Sequence, residues 1–407
     1  MRIVFDGTTL QPGRTGVGYY TEHLLHHLVQ QAQGDELIVI SNRPVDTTRP
    51  LARGVRVLTE PWPMPRMVWM QASAPRTLRR LRPDVVHFTN GMVPVASPAP
   101  TVVTIHDMSL TMYPRYHPPR RVLLNRPLVN VAARRADAVI TVSQSAKQDI
   151  VLLYGLAPER VHVIHEAAAP AFRPIHDIAE LERVRRRYGL ADRFILYVGT
   201  IEPRKNLPSL IEGFATRRRG GDLPHQLVCV GPYGWLCRDI KARIGRLQND
   251  DIRVTGYVPF DDLPALYNLA EMFVFPSFYE GFGLPVIEAM ACGTPVITGH
   301  VAALDEVAGG AVERVDRLDP EALGEAMVAL GRNRARRDEL GALGRARART
   351  FSWERAARET LAVYRQVARR AGRAALSEPV FVDVASEPTS AVASSAPARR
   401  ESQSLVP

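Results

Sequence analysis

The chain has 407 residues, 46% of them hydrophobic, three cysteines and a formal net charge of +10, a length that suits two domains with separate cores. No apolar run approaches the roughly 20 residues that cross a bilayer, and Cys229, Cys237 and Cys292 form neither a disulfide framework nor a zinc-type pair. Arginine supplies 49 of the 52 basic residues and is scattered along the chain, which argues against a nucleic-acid stripe; the only lysines are Lys147, Lys205 and Lys241. The opening MRIVFDG reads as a strand with no signal sequence, so a cytoplasmic chain is expected.

From the N-terminus, short Val- and Ile-rich runs at 3–5, 37–40, 55–58, 85–88, 102–105, 138–142 and 161–164 alternate with longer amphipathic stretches. That alternation is the mark of a parallel sheet with crossover helices. The first run leads into PGRTGVGYYTEHL, where Gly16 and Gly18 precede an amphipathic helix and offer backbone amides to a phosphate or a hydroxyl. Thr21 stands where a dinucleotide fingerprint needs its last glycine, which disfavours an NAD enzyme. His106 and Asp107 close the fifth run; on residue type alone, a buried, satisfied histidine is the simpler reading. The segment beginning at Arg115 mixes Arg120, Arg121, Arg126, Arg134 and Arg135 with Val122, Leu123, Leu124, Leu128 and Val131. It reads as a domain helix with a basic face, or as a surface for an anionic bilayer.

Residues 166–177, EAAAPAFRPIHD, read as an extended linker. The alternation then restarts at 194–198, 227–230, 252–255, 272–275 and 295–298, so residues 1–170 form one α/β domain and 171–350 a second. In FSWERAARETLAVYRQVARR, Ser352 is a candidate N-cap, and Trp353, Ala356, Leu361, Tyr364 and Val367 fall near helical spacing. This predicts a terminal helix over 351–371, followed by an aperiodic, disordered tail over 372–407.

Two segments carry the chemistry. In FILYVGTIEPRKNL a strand runs into Gly199 and a loop with Arg204, Lys205 and Asn206. Loops at the carboxyl ends of parallel strands bind ligands, and a guanidinium fork beside a mobile ammonium suits a diphosphate. In FVFPSFYEGFGLPVIEAMACGTPVI, Gly281 and Gly283 permit close backbone approach, and a helix begins near Pro285. Glu280 precedes that helix and Glu288 lies about one turn inside it, so both carboxylates point toward one mouth of the sheet. Carboxylates accept from sugar and ribose hydroxyls.

These segments, with VVTIHDMSLTMYP, TVSQSAKQDI from Thr141 and GYVPFDDLPALYNLAEMFVFPS from Gly256, resemble the retaining GT-B glycosyltransferases of family 4, a group rich in bacterial mannosyltransferases. The resemblance covers roughly residues 2–369. It implies two Rossmann-like domains facing across a cleft, an acceptor side in the first, a nucleotide-sugar side in the second, and a C-terminal helix returning to the first. It further implies that Arg204 and Lys205 hold the donor diphosphate, and that Glu280 with the backbone of Phe282, Gly283 and Leu284 contacts donor sugar and phosphate. Glu288 would take the ribose, main chain at Val258 the base, and His106, oriented by Asp107, would reach the sugar. Gly16, Gly18, Gly199 and Asn206 complete the donor-binding set. The implied reaction moves a hexose, mannose from GDP-mannose first, to a hydroxyl of a glycan or lipid-linked acceptor, without metal or other cofactor. UDP-, dTDP- or other GDP-sugars are alternative donors. A GT-B epimerase, which needs acid/base groups for elimination and readdition, is disfavoured because the Arg-Lys loop paired with EGFGLPVIEAMACGTPVI fits a transferase better, and a noncatalytic sugar-nucleotide binder because it would not need Arg204, Lys205, Glu280 and His106 together.

Overall fold

A computed structural model describes residues 1–14, 16–46, 54–61, 65–247 and 251–377. The apolar runs become strands because parallel sheets covered by helices on both faces bury nearly every strand residue. Seven strands form the first sheet: β1 (Arg2–Asp6), β2 (Glu36–Ser41), β3 (Val55–Thr59), β4 (Val85–Phe88), β5 (Thr101–Thr104), β6 (Ala138–Thr141) and β7 (Val161–Val163). Six form the second: β8 (Phe194–Val198), β9 (Gln226–Val230), β10 (Ile252–Gly256), β11 (Met272–Phe275), β12 (Val296–Gly299) and β13 (Glu313–Val315). All pairings are parallel, in the orders β3-β2-β1-β4-β5-β6-β7 and β10-β9-β8-β11-β12-β13. In each sheet the strand order reverses once, between β1 and β4 and between β8 and β11. A crevice opens at such a reversal because successive loops leave in opposite directions.

The runs read from sequence coincide with the strands, apart from β13, which escaped notice. Its three residues, Glu313, Arg314 and Val315, include two charges, and only edge pairing to β12 makes them a strand. The linker over 166–177 has no regular structure.

The helix Trp353–Ser377 returns to the first domain. Trp353, Ala356, Leu361, Tyr364 and Val367 are all buried, in one cluster with Ile3, Phe5 and Leu24. Ser352 Oγ accepts from the Arg355 amide at 3.1 Å, as an N-cap should. Inside the interface, the Tyr364 hydroxyl lies 2.6 Å from Nδ1 of the fully buried His87, whose Nε2 is 2.7 Å from Thr104 Oγ1. The helix continues six residues past the expected end at 371, so the first residues assigned to the tail are helical; residues 378–407 lie outside the described residues.

The basic segment forms a 3-10 turn, Pro114–Tyr116, and the helix Pro119–Arg135. Only Ala132 and Ala133 of that helix are buried, while Leu123 and Leu124 are 75% and 55% exposed. Among the described residues, no helix is long and apolar enough to cross a membrane.

Candidate active site

The loop after β8 and the loop after β11 emerge on either side of the second sheet's reversal, which brings residues 75 apart in sequence into contact. Arg204 and Lys205 end a single 3-10 turn, Pro203–Lys205. Asn206 then takes the left-handed conformation (φ 53°) and donates from Nδ2 to the Leu318 carbonyl at 2.7 Å. Its side chain is therefore spent on shaping the turn that aims the two cations. Gly199 (φ 155°) packs at the strand end against Gly231, where a Cβ would stand 2.1 Å from the Gly199 carbonyl oxygen.

Both cations are nearly buried, with 8% and 9% exposure. Lys205 Nζ donates to Glu280 Oε1 at 2.5 Å, and Arg204 Nη1 is 3.2 Å from the same oxygen. Arg204 also donates from Nη2 to Glu202 Oε1 at 2.7 Å and from Nη1 to the Tyr279 carbonyl. Lys205 Nζ sits 4.7 Å from the centre of the Phe275 ring. Burial by itself would raise the Glu280 carboxyl, but the charges of Arg204 and Lys205 outweigh it and hold the group below its ordinary value. For Glu202 burial wins over the same cations, and its carboxyl is raised. The cluster thus sets Arg204 and Lys205 against one carboxyl held below its ordinary value and one raised above it.

Glu280, Gly281 and Phe282 lead into the helix Leu284–Cys292 through Gly283 (φ 102°). The helix starts beside the cations, so its amide end adds favourable potential for a phosphate. Phe282 itself is 3% exposed and packs in the second-domain core, so only its main chain is offered to the cleft. Glu288, one turn in, accepts from the Tyr267 hydroxyl at 3.0 Å. Burial, reinforced by the charge of Glu166, pushes its carboxyl up to about 8. The Val258 side chain is also core, with Tyr257 beside it half exposed.

The first domain closes on this wall. Gly281 meets it so tightly that a Cβ would lie 1.8 Å from the His106 carbonyl oxygen, and Ser143 Oγ donates to the Gly281 carbonyl at 2.6 Å. Tyr279 crosses into the first-domain core, donating to Asp149 at 2.8 Å and accepting from the Met108 amide at 3.1 Å. Trp235 donates from its indole nitrogen to the Tyr116 carbonyl at 2.8 Å, and Phe278 stacks on Tyr116 at 5.8 Å.

His106 lies at this seam, 3.2 Å from Glu166 Oε1 through Nδ1 and 2.9 Å from the Thr89 carbonyl through Nε2. Those two groups orient it. Asp107, expected in that role, instead accepts from the Ser109 amide at 2.8 Å. Burial raises the Asp107 carboxyl, but the facing Arg204 prevails and lowers it. Gly16 approaches Leu284 across the cleft, whereas Gly18 is needed inside its own domain, where a Cβ would stand 2.8 Å from the Thr9 carbonyl oxygen. Glu202, Glu166 and Tyr279 were not singled out in the sequence; the one local signal was Glu202, two residues before Arg204 in the same strand-end loop.

The chain as a whole is similar to known proteins. Residues 14–170 match the Glycosyltransferase Family 4 profile, and residues 192–333 match Glycosyl transferases group 1. The O-antigen chain mannosyltransferase B of Escherichia coli is 35% identical over 266 residues, 65% of this chain and 70% of that protein. The chain belongs to the family 4 glycosyltransferases. Another relative, the serotype-specific mannosyltransferase WbdA of Escherichia coli, is 34% identical over 54% of this glycosyltransferase but only 27% of its own length. Among solved structures, sucrose-phosphate synthase from Thermosynechococcus elongatus superposes with a TM-score of 0.71, covering 91% of this glycosyltransferase and 100% of that chain at 22% identity. That likeness establishes the GT-B fold of the glycosyltransferase.

Proposed function

We propose that this glycosyltransferase moves mannose from GDP-mannose, with retention at the anomeric carbon and without a metal, to a hydroxyl of a growing surface glycan or its lipid-linked form. The observation that carries the donor assignment is the buried Arg204–Lys205–Glu280 cluster at the second-sheet reversal. In this reading the diphosphate draws the two cations partly away from Glu280 and takes the helix amides of Gly283 and Leu284. Oε2 of Glu280 accepts from the sugar, and Glu288 accepts from the ribose. As the glycosidic bond breaks, charge builds on the leaving nucleoside diphosphate, where two preorganised cations in a dry site are worth most. Mannose and a polysaccharide acceptor are favoured because O-antigen and serotype-specific mannosyltransferases are among the similar proteins.

The reading also places the protein in the cytoplasm, touching the membrane peripherally. Leu123 and Leu124 stand out beside the arginines of the helix Pro119–Arg135, a face suited to an anionic bilayer that carries a lipid-linked acceptor. Sedimentation with liposomes that does not depend on anionic lipid removes this part of the proposal.

A thermal-shift panel of GDP-, UDP- and dTDP-sugars tests the donor, because a ligand bound only by the folded chain raises its stability as RT ln(1 + [L]/Kd). GDP-mannose should give the largest shift. A larger shift with a UDP- or dTDP-sugar overturns the base assignment.

A further inference from the structure

We propose that Glu166, from the linker between the domains, is the positioning residue that keeps the His106 ring oriented and doubly protonated at the cleft during transfer. The proposal rests on the transferase reading above. His106 Nε2 is 2.9 Å from a backbone carbonyl, that of Thr89, and Nδ1 is 3.2 Å from a Glu166 carboxylate oxygen. Carbonyls and ionised carboxylates only accept hydrogen bonds. With Glu166 present as the carboxylate, both ring nitrogens donate, and the ring is an imidazolium.

The surroundings agree. Glu166 is 4% exposed, and the Tyr20 ring meets His106 edge-on with centroids 4.6 Å apart. The ionisable groups around the ring are Glu166 from the linker, Asp107 from its own loop, His87 from β4 and Tyr20 from the helix Gly16–Gln31. Burial opposes charge on His106, and Glu166, assisted by the Thr89 carbonyl and by Asp107, outweighs it, so the ring is raised above its ordinary value. His87 is pushed down to about 3 by burial and then by His106 itself, so no second imidazolium competes. Glu288 faces Glu166 from the second domain.

The residue just before the linker reaches the opposite way. His165 Nε2 is 2.7 Å from Glu306 Oε1, and Glu306 also accepts from the Gln144 and Ser145 amides. Two successive side chains are thus fixed on opposite domains, His165 on the second and Glu166 against His106 on the first. A cation held on the first-domain wall adds to Arg204 and Lys205 on the other as the leaving group gains charge. In this role His106 donates and does not act as a base.

The test is a nitrogen-15 titration of His106 in the full chain, alongside the pH profile of kcat. Glu166→Gln should lower the His106 midpoint by about one pH unit or more, since a unit reflects only ~1.4 kcal/mol of lost interaction. The fall of kcat with rising pH should move by the same amount, with donor KM nearly unchanged. Glu166→Asp should give an intermediate midpoint, and it carries the test if the glutamine variant does not fold. In a His106→Phe background, Glu166→Gln should cost nothing further. An unchanged His106 midpoint, or an equal loss of kcat at every pH, overturns the proposal. If no donor is turned over, the transferase reading fails, while the titration still decides the pairing of Glu166 with His106.

Discussion

Lys205→Met separates the two jobs of the cation cluster. Methionine keeps a stem of similar length on the Phe275 ring and removes the ammonium that sits 2.5 Å from Glu280 Oε1. Deleting one partner of a buried ion pair costs about 3–5 kcal/mol. Because Arg204 still reaches the same oxygen at 3.2 Å, the loss in urea unfolding should fall at the lower end, about 3 kcal/mol. The ligand effect is separate. A charge-assisted hydrogen bond to the diphosphate contributes about 1.5–3 kcal/mol, or roughly 10- to 150-fold in Kd. Calorimetric titration with GDP and with guanosine distinguishes the two: the variant should lose affinity for GDP by that factor and bind guanosine as the unmodified chain does. Unchanged GDP affinity, or an equal loss for guanosine, would refute the assignment of Lys205 to the diphosphate.

Glu288 is protonated below about 8, and ribose hydroxyls are better held by the carboxylate, so affinity for a nucleotide sugar should rise with pH and level off above that value. The slope cannot exceed about tenfold per pH unit, and it should vanish in Glu288→Gln; a slope that survives the substitution points to another group. Gly281→Ala puts a Cβ 1.8 Å from the His106 carbonyl oxygen, and the strain of overpacking, about 1–3 kcal/mol, should oppose domain closure. The expected outcome is a larger radius of gyration by X-ray scattering and a lower kcat with each domain still folded; an unchanged radius and rate would refute it. Tyr364→Phe strips the fully buried His87 of its Nδ1 partner and should lower stability by about 1–3 kcal/mol, read as a shifted urea midpoint with an unchanged slope.

Much of the architecture was legible because both sheets are parallel and their central strands are covered, so those strands are mostly apolar runs. β13 was not, since a three-residue edge strand carrying Glu313 and Arg314 has no such signature. The terminal helix could be read from the spacing of its buried residues, though its end could not: the sequence beyond 371 lacks the apolar period, yet the backbone continues to Ser377. Of the site, Arg204, Lys205, Glu280 and Glu288 were visible through their placement at strand ends, and their meeting follows from a strand order that spacing does not reveal. Asn206, expected among the donor-binding residues, also holds a left-handed turn, a use of asparagine that only the backbone angle exposes. Glu166 was hidden inside a segment read as a spacer. Its importance comes from a contact with His106, 60 residues away.

The claim that matters most is that the buried cation pair serves retaining mannosyl transfer. It is tested most directly by incubating the chain with GDP-mannose carrying carbon-13 at the anomeric position, together with an oligomannoside acceptor, and following GDP release and the anomeric coupling of the product. The account predicts one α-linked mannose transferred for each GDP released. A β-linked product would contradict retention, and turnover of a different nucleotide sugar with GDP-mannose inert would contradict the donor.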